Sequence, residues 1–508
     1  MSPSEPPAEL LIVGSGIMGA TVARLVRENA PGLRIVMVDG GPVIGATPGL
    51  HLHDVPEPEV WARYNESVSS GIQGFYAGAA PAASRAEVVS QLEAGMHLLS
   101  TLHEHSGLMP MAAAAWNVGG MGAHWTAATP WPFGDEVFDF GNPGAWNADL
   151  DTARRVLQVR DVAIGPTEPG EIVLAALRAR YLGIGPADRA PQAMPMAVTP
   201  GQDGTLLRTG PSRIFPPIAA GGDEGFTLLP RTLAMAIDHD GRRARGAIVL
   251  DVESGERRVI EAAITVVCAD TFRTPQLLFA SEIRPEALGR YLNEHAFVTG
   301  RVLMDLDRFG LRLDALPRSA EGEFATDSLW LPQNGREQPF HGQIMDSTYL
   351  DDAGAPLAHS VGLSMYTPVE SRAGNRVRFV EGETDLTGMP RFDIEFAYSD
   401  TDLALIERAR AEMEDIARDF GDFDPATESA LLPPGSSLHQ TGTVRSGVAD
   451  DGASVCDPSG RVWGFDNLFL AGNGVVPTAV VANATLTGTV TAVRAARAAV
   501  RALDHADA

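Results

Sequence analysis

The sequence predicts an α/β protein, with a Rossmann-like dinucleotide-binding domain joined to a second domain of mainly antiparallel sheet and flanking helices. Three observations carry this. A strand, a glycine loop, a helix, a second strand and an acid open the chain as one unit. A buried strand near residue 265 leads into a helix with no second glycine-rich loop. Between residues 301 and 435 strands alternate with loops, and one long amphipathic helix follows.

The opening unit begins with Leu10-Leu11-Ile12-Val13, an apolar run of the kind found in buried parallel strands. Gly14-Ser15-Gly16-Ile17-Met18-Gly19 follows, and a helix is expected from about Ala20 to Glu28. Arg34–Val38 reads as the second strand, and Asp39 closes it 20 residues after Gly19. In such a unit Gly14 permits the tight turn, Gly16 lets a pyrophosphate approach the backbone, and Gly19 lets helix and strand pack closely. Backbone N–H groups at the helix start, about Ile17 and Met18, favour phosphate. Asp39 can accept hydrogen bonds from a ribose diol.

Further on, Glu87–His105 has apolar residues at helical spacing, with Val88, Leu92, Met96, Leu99 and Leu102 on one side. Gly119-Gly120-Met121-Gly122-Ala123-His124-Trp125-Thr126 is dense in glycine, as where backbone meets a flat or crowded partner. Phe226–Pro230 reads as a strand, and Arg245–Asp251 with Glu256–Glu261 as a hairpin around Ser254-Gly255. Ala263–Ala269 is a further buried strand, and Asp270 begins a turn and helix. One glycine loop means one dinucleotide, which favours FAD over a flavin plus NAD. The expected organisation is an FAD-binding domain in three parts, residues 1–160, 226–300 and 436–508. Residues 161–225 form a peripheral, substrate-side region and residues 301–435 a substrate-binding domain, whose helix runs from about Asp400 to Phe420 and bears Leu403, Ile406, Met413 and Ile416.

The totals exclude several classes. The chain has 508 residues and a formal net charge of −26, which repels nucleic acid and anionic membranes. Its two cysteines, Cys268 and Cys456, form no CxxC, which argues against a disulfide framework, a thiolate metal site and a dithiol centre. No metal site is expected. The first residues lack the basic region of a signal peptide. Residues 467–493 are uncharged, but Gly, Asn, Pro and Thr interrupt them, so they do not read as a membrane span. The expectation is a soluble, cytoplasmic protein. The oligomeric state is left open.

Near the C-terminus one histidine and one asparagine stand in Gly- and Thr-rich surroundings. Ser437-Leu438-His439 precedes a short strand, Leu468–Gly472, and Asn483-Ala484-Thr485 follows it. An alcohol gives up hydride only as its proton leaves, and imidazole suits that proton near neutral pH. A second polar group on the same hydroxyl would orient the C–H bond. Asn483 also reads as an N-cap for a helix over Ala484–Ala495, whose dipole would favour negative charge.

Together the N-terminal loop, the Ala269…Thr274-Pro275-Gln276 turn, Leu438-His439 and the Asn483 helix resemble the glucose–methanol–choline (GMC) flavoprotein oxidoreductases. Within them the chain is most similar to the pyranose oxidase group and its bacterial glycoside 3-oxidase relatives, with Pro339-Phe340-His341-Gly342-Gln343-Ile344 as a substrate-domain strand. The resemblance implies that His439 is the general base and that Asn483 holds the same hydroxyl. It implies FAD contacts from Gly14, Gly16, Ile17, Met18, Gly19, Asp39, Gly119, Gly120, Met121, Trp125, Thr126, Ala269, Gly472, Asn473, Asn483, Ala484 and Thr485. His124 matches a histidine that can carry the flavin covalently; Ala123 before it departs from the group, and the bond is left open. Gln343, Asp346 and Ser437 would join His439 and Asn483 at the sugar. The implied reaction oxidises a secondary hydroxyl, C3 or C2, of a pyranose or of a C- or O-glycoside. Either O2, giving H2O2, or a quinone is the electron acceptor. A non-catalytic flavin-binding protein is the remaining alternative.

Overall fold

The computed structural model describes residues 7–62, 89–90, 92–201, 205–319, 323 and 325–506. The opening unit forms as expected. β1 (Ala8–Val13) and β2 (Ile35–Val38) pair in parallel, joined by α1 (Ile17–Asn29). Parallel neighbours require such a crossover, and burial on both faces explains why β1 is apolar throughout. α2 (Pro143–Leu157) and α3 (Glu168–Arg180) follow.

β3 (Phe226–Leu229) extends the sheet beside β2, and β4 (Thr232–His239) pairs antiparallel with β5 (Ala244–Asp251). β6 (Arg257–Val267) unites two segments that the sequence suggested were separate. Its first half is antiparallel to β5, with Gly246 opposite Glu261, and its second half is parallel to β1, with Ala262 opposite Ala8. No turn residue lies between Glu261 and Ala263, so one strand serves both ladders. α4 (Asp270–Ala280) leaves its end.

The second sheet is antiparallel. β7 (Ala296–Leu303), β8 (Asp327–Leu331), β9 (His341–Leu350) and β10 (Pro356–Thr367) supply its centre. α5 (Asp400–Arg418) covers β7 and β10. Ser399 caps it, its Oγ accepting from Asp402 N while Asp402 Oδ2 accepts from Ser399 N. Ile406, Ala409, Met413 and Ile416 are buried, whereas Leu403 is exposed. With β11 (Ser429–Leu431) the order is β11-β7-β10-β9-β8, and Gln192–Ala193 adds the far edge. Residues from the 161–225 region therefore complete this sheet.

The chain returns through β12 (Leu468–Leu470), parallel to β6, and ends in α6 (Thr485–Ala506), packed on α1 and α2. One expectation fails. Over 92–105 the structure has a strand, Gly95–Leu98, and a 3-10 turn, Leu99–Leu102, instead of a helix. Gly95 takes a left-handed φ of 143° and the strand pairs with Ala113–Trp116, a tertiary contact that local spacing does not reveal. The Glu87 and Val88 end of that expected helix lies outside the described residues.

Candidate active site

The glycine loop separates packing from binding. Gly14 has φ of +100°, and a Cβ there would lie 2.4 Å from the Cys268 carbonyl oxygen. A Cβ on Gly19 would lie 2.0 Å from the Gly14 oxygen, so these two glycines are fixed by strand and helix packing. At Gly16 a Cβ would meet only Gly119 O, at 3.6 Å, and this glycine borders a cavity. Ser15 ties the loop to the acid, donating from Oγ to Asp39 Oδ2 at 2.6 Å and accepting from Gly119 N at 2.8 Å. Asp39 Oδ1 accepts from Gly41 N at 2.9 Å. Burial raises the Asp39 pKa, and its bonds to Ser15 and Gly41 oppose that rise.

Three helix starts converge on the cavity. Ile17 and Met18 of α1, Ala269 and Thr271 at α4, and Asn483 and Thr485 at α6 all line it. Their positive dipole ends suit a phosphate-bearing, electron-accepting ligand, although at α4 Phe272 N and Arg273 N already donate to Asp270 Oδ1. Gly472 and Asn473 add to the wall, and Asn473 Oδ1 is buried with no hydrogen-bond partner among the described residues. These residues fit a dinucleotide such as FAD. Gly119, Ala484 and Gly19, expected at the cofactor, stand outside the lining: the N–H of Gly119 is spent on Ser15, and Ala484 is buried in the core.

Gly120, Met121, His124, Trp125 and Thr126 also line the cavity. Asn117, which sequence reasoning left unassigned, organises them. Its Nδ2 donates to Val118 O at 3.0 Å and Gly120 O at 3.2 Å, which leaves Oδ1 to accept from His124 Nε2 at 2.9 Å. Burial pushes the His124 pKa down to about 3.

His439 and Asn483 meet on the cavity wall, with Asn483 Nδ2 3.3 Å from His439 Nε2. Asn483 does not cap α6, which begins at Thr485; its Oδ1 is buried without a hydrogen-bond partner among the described residues. Burial pushes the His439 pKa down to about 4, so the ring is a neutral base at neutral pH. Leu438 holds φ of +57°, a backbone state few non-glycine residues adopt and one common at functional sites. Behind it, the Ser437 hydroxyl accepts from His439 N at 3.1 Å. That hydroxyl therefore supports the base, and Ser437 is not part of the cavity wall where a sugar contact was expected.

Three buried groups that the sequence did not single out hold this pair. Glu294 accepts from Gly435 N at 2.9 Å and from Gln440 Nε2 at 2.9 Å, and burial raises its pKa to about 7. Glu136 Oε1 accepts from Val481 N at 2.7 Å, pinning the residues before Asn483. His295 Nε2 lies 2.9 Å from His439 Nδ1. No local motif marks these residues, because each acts across long sequence separations.

The sugar-side expectations divide. Gln343 lies on the face of β9 that carries His341, where Trp330 Nε1 donates to His341 Nδ1 at 2.9 Å. The His341 ring stacks on Tyr366, and Tyr366 in turn meets His439 at 6.1 Å between ring centroids. Asp346 is three residues from Gln343 and so points from the opposite face. There it stands opposite Asp327 in register and 3.9 Å from His359. Asp346 is buried on the face opposite Gln343 and stands outside the cavity lining, away from the sugar position expected for it.

Comparison with known proteins agrees with this geometry. The GMC oxidoreductase family profile matches residues 370–492. A C-glycoside 3-oxidase of Microbacterium trichothecenolyticum is 38% identical over 504 residues, covering 96% of each chain. A pyranose 2-oxidase of Emericella nidulans is 25% identical, covering 96% of this chain and 91% of its own. The crystal structure of pyridoxine 4-oxidase from Mesorbium loti superposes with a TM-score of 0.61 at 16% identity, covering 96% of this chain and 98% of its own, a likeness of fold. The GMC family binds FAD. With its glycine loop, its partly buried His439–Asn483 pair and a full-length relative at this identity, the chain belongs to the GMC oxidoreductase family.

Proposed function

We propose that this enzyme is an FAD-dependent glycoside oxidase that converts a secondary ring hydroxyl, at C3, to a ketone. The observation that carries the reading is the partly buried His439–Asn483 pair on the wall of a dinucleotide-fitting cavity. The identity to a C-glycoside 3-oxidase supports the substrate class and the carbon.

Gly16, Ile17 and Met18 would hold the diphosphate, Asp39 the ribose, and Ala269, Gly472, Asn473 and Thr485 the remaining cofactor edge. Bound FAD supplies the acceptor for the carbinol hydride, and O2 then takes the electron pair to give H2O2. His439 Nε2 receives the hydroxyl proton as the C–H bond breaks. Asn483 fixes the same oxygen, so the C–H bond points at the acceptor. Thr126 and Leu438 border the reacting edge. Gln343, buried and outside the cavity lining, is a candidate sugar contact on the strength of its free amide: among the described residues its side chain makes only a weak contact to Met345 Sδ at 3.5 Å.

FAD is held without a bond to His124 Nε2. The Asn117 carbonyl oxygen accepts the proton on His124 Nε2, so this nitrogen carries no lone pair for the flavin. Cytoplasmic action suits the two free, buried cysteines. No described helix is long and apolar enough to cross a membrane.

The deciding experiment is NMR of the product after incubation with a C-glucoside, an O-glucoside and free glucose. A carbonyl at C3 of a glucoside is the expected outcome. A carbonyl at C2 of free glucose alone would replace this reading with a pyranose 2-oxidase. Reduced enzyme that turns over only with an added quinone would make it a dehydrogenase.

A further inference from the structure

Asn293 and Thr441 form an isolated antiparallel bridge, Asn293 N donating to Thr441 O at 3.0 Å and Thr441 N to Asn293 O at 2.9 Å. Antiparallel register then sets His295 opposite His439, side chains on one side. The two rings are 63° apart with centroids at 4.9 Å. His295 Nε2 is 2.9 Å from His439 Nδ1, and His295 Nδ1 is 3.3 Å from the carbonyl oxygen of Val480. The His295 ring is buried and His439 is partly buried.

The far end of this chain is unambiguous. A carbonyl oxygen only accepts, so His295 carries its proton on Nδ1. A neutral imidazole has one proton, so His295 Nε2 is an acceptor. The hydrogen between the rings therefore belongs to His439 Nδ1, and His439 Nε2 keeps its lone pair, facing the Asn483 amide. We propose that His295 is a positioning residue: held by the Val480 carbonyl, it fixes the tautomer in which His439 Nε2 is the unprotonated base. It also accepts from His439 Nδ1–H as the ring becomes an imidazolium during proton removal. Val480 lies three residues before Asn483, so one segment orients both the base and its amide partner.

Burial lowers the His295 pKa well below the usual histidine value, and the neighbouring His439 lowers it further, which keeps the ring neutral as the relay requires. Tyr366 and His341 face the two rings from the second sheet, and Glu294 adjoins them in the chain.

This inference rests on His439 being the base, and its test separates the two. Holoenzyme labelled with 15N-histidine is examined by NMR, the His439 ring being identified by its absence from His439→Asn. A pyridine-type Nε2 and a pyrrole-type Nδ1 are expected. In His295→Leu the rate of anaerobic flavin reduction by glycoside should fall roughly 10²-fold, within the range for a positioned acid–base group. Glycoside affinity, read from the flavin absorbance change, should move less than about threefold. In His295→Gln the amide oxygen can accept from His439 Nδ1 while its N–H donates to Val480, so the rate should return to within about fivefold of wild type. A proton on His439 Nε2 in the wild type overturns the proposal. So does equal loss in the Leu and Gln variants, or no loss in Leu. If His439→Asn itself reduces flavin normally, the catalytic reading fails, whatever tautomer the NMR shows.

Discussion

His439 Nε2 and Asn483 Nδ2 lie 3.3 Å apart although 44 residues separate them in the chain. The segment before β12 supplies one and the entry to α6 the other. The contact is at the long end of the hydrogen-bond range. A hydroxyl inserted between them would gain two better bonds, one donated to the histidine and one accepted from the amide. That exchange gives the resting contact a chemical purpose.

Removing the base should leave binding intact. His439→Ala is expected to retain yellow, FAD-loaded protein while the rate of anaerobic flavin reduction by glycoside falls about 10²- to 10⁴-fold. Stopped-flow absorbance measures this directly, and reduction near the wild-type rate would take the proton-accepting role away from His439.

Asn483→Ala removes the orienting amide and keeps the base. Reduction should slow about 10- to 100-fold, a misorientation effect. The acid limb of its pH profile should stay where the wild-type limb lies, because the titrating group is unchanged.

Burial sets that limb. The His439 pKa is lowered to about 4, so the base is unprotonated at and above pH 5. Flavin reduction at low glycoside should be level from pH 8 to about 5 and fall as the pH drops through about 4. His295, His341 and Tyr366 face His439, and Glu294, with its pKa near 7, braces the loop beneath it. Repeating the profile in Glu294→Gln identifies the group: an inflection near 4 that persists belongs to His439.

Asp346→Asn should improve stability without touching kinetics. Burial raises the Asp346 pKa from 3.8 to about 6, with Asp327 adding and His359 opposing. Folding therefore takes up a proton between these values, and above pH 6 the ionised buried carboxylate costs stability. Asparagine removes that cost. The melting temperature at pH 8 should rise by roughly 1–4 °C, and the gain should shrink as pH falls toward 4. Glycoside KM should stay within about twofold, in keeping with its place on the far face of β9.

Acid precipitation should release all the flavin. A yellow supernatant is expected, since Asn117 holds the His124 Nε2 proton. A yellow pellet would mean a covalent bond, made either through His124 Nδ1 or through Nε2 with the Asn117 amide turned.

The sequence made the first domain legible because its signals are local. Gly14 and Gly19 answer to contacts across one strand or within a few residues, Gly16 stands in the same local motif at the cavity, and the apolar run of β1 declares a strand buried on both faces. The His439–Asn483 pair was also readable, through its chemistry and its resemblance to a known family. Glu294, His295, Asn117 and Glu136 were not, because each serves a backbone or ring brought near by folding. The N-cap assigned to Asn483 failed for a related reason: asparagine suits a cap, but its amide is engaged by His439 across the fold. Asp346 could have been excluded from sequence. An odd spacing from Gln343 on a strand sends the two side chains to opposite faces, and period-2 counting alone would have shown it.

The most direct test of the account is anaerobic flavin reduction with a glucoside carrying deuterium at C3, compared with one carrying it at C2. The account predicts a primary isotope effect on the reduction rate with the C3 label and none with the C2 label, both in the wild type and in the slowed Asn483→Ala variant. Equal rates for the C3-labelled and unlabelled glucoside in that slowed variant, or an effect confined to the C2 label, would contradict it.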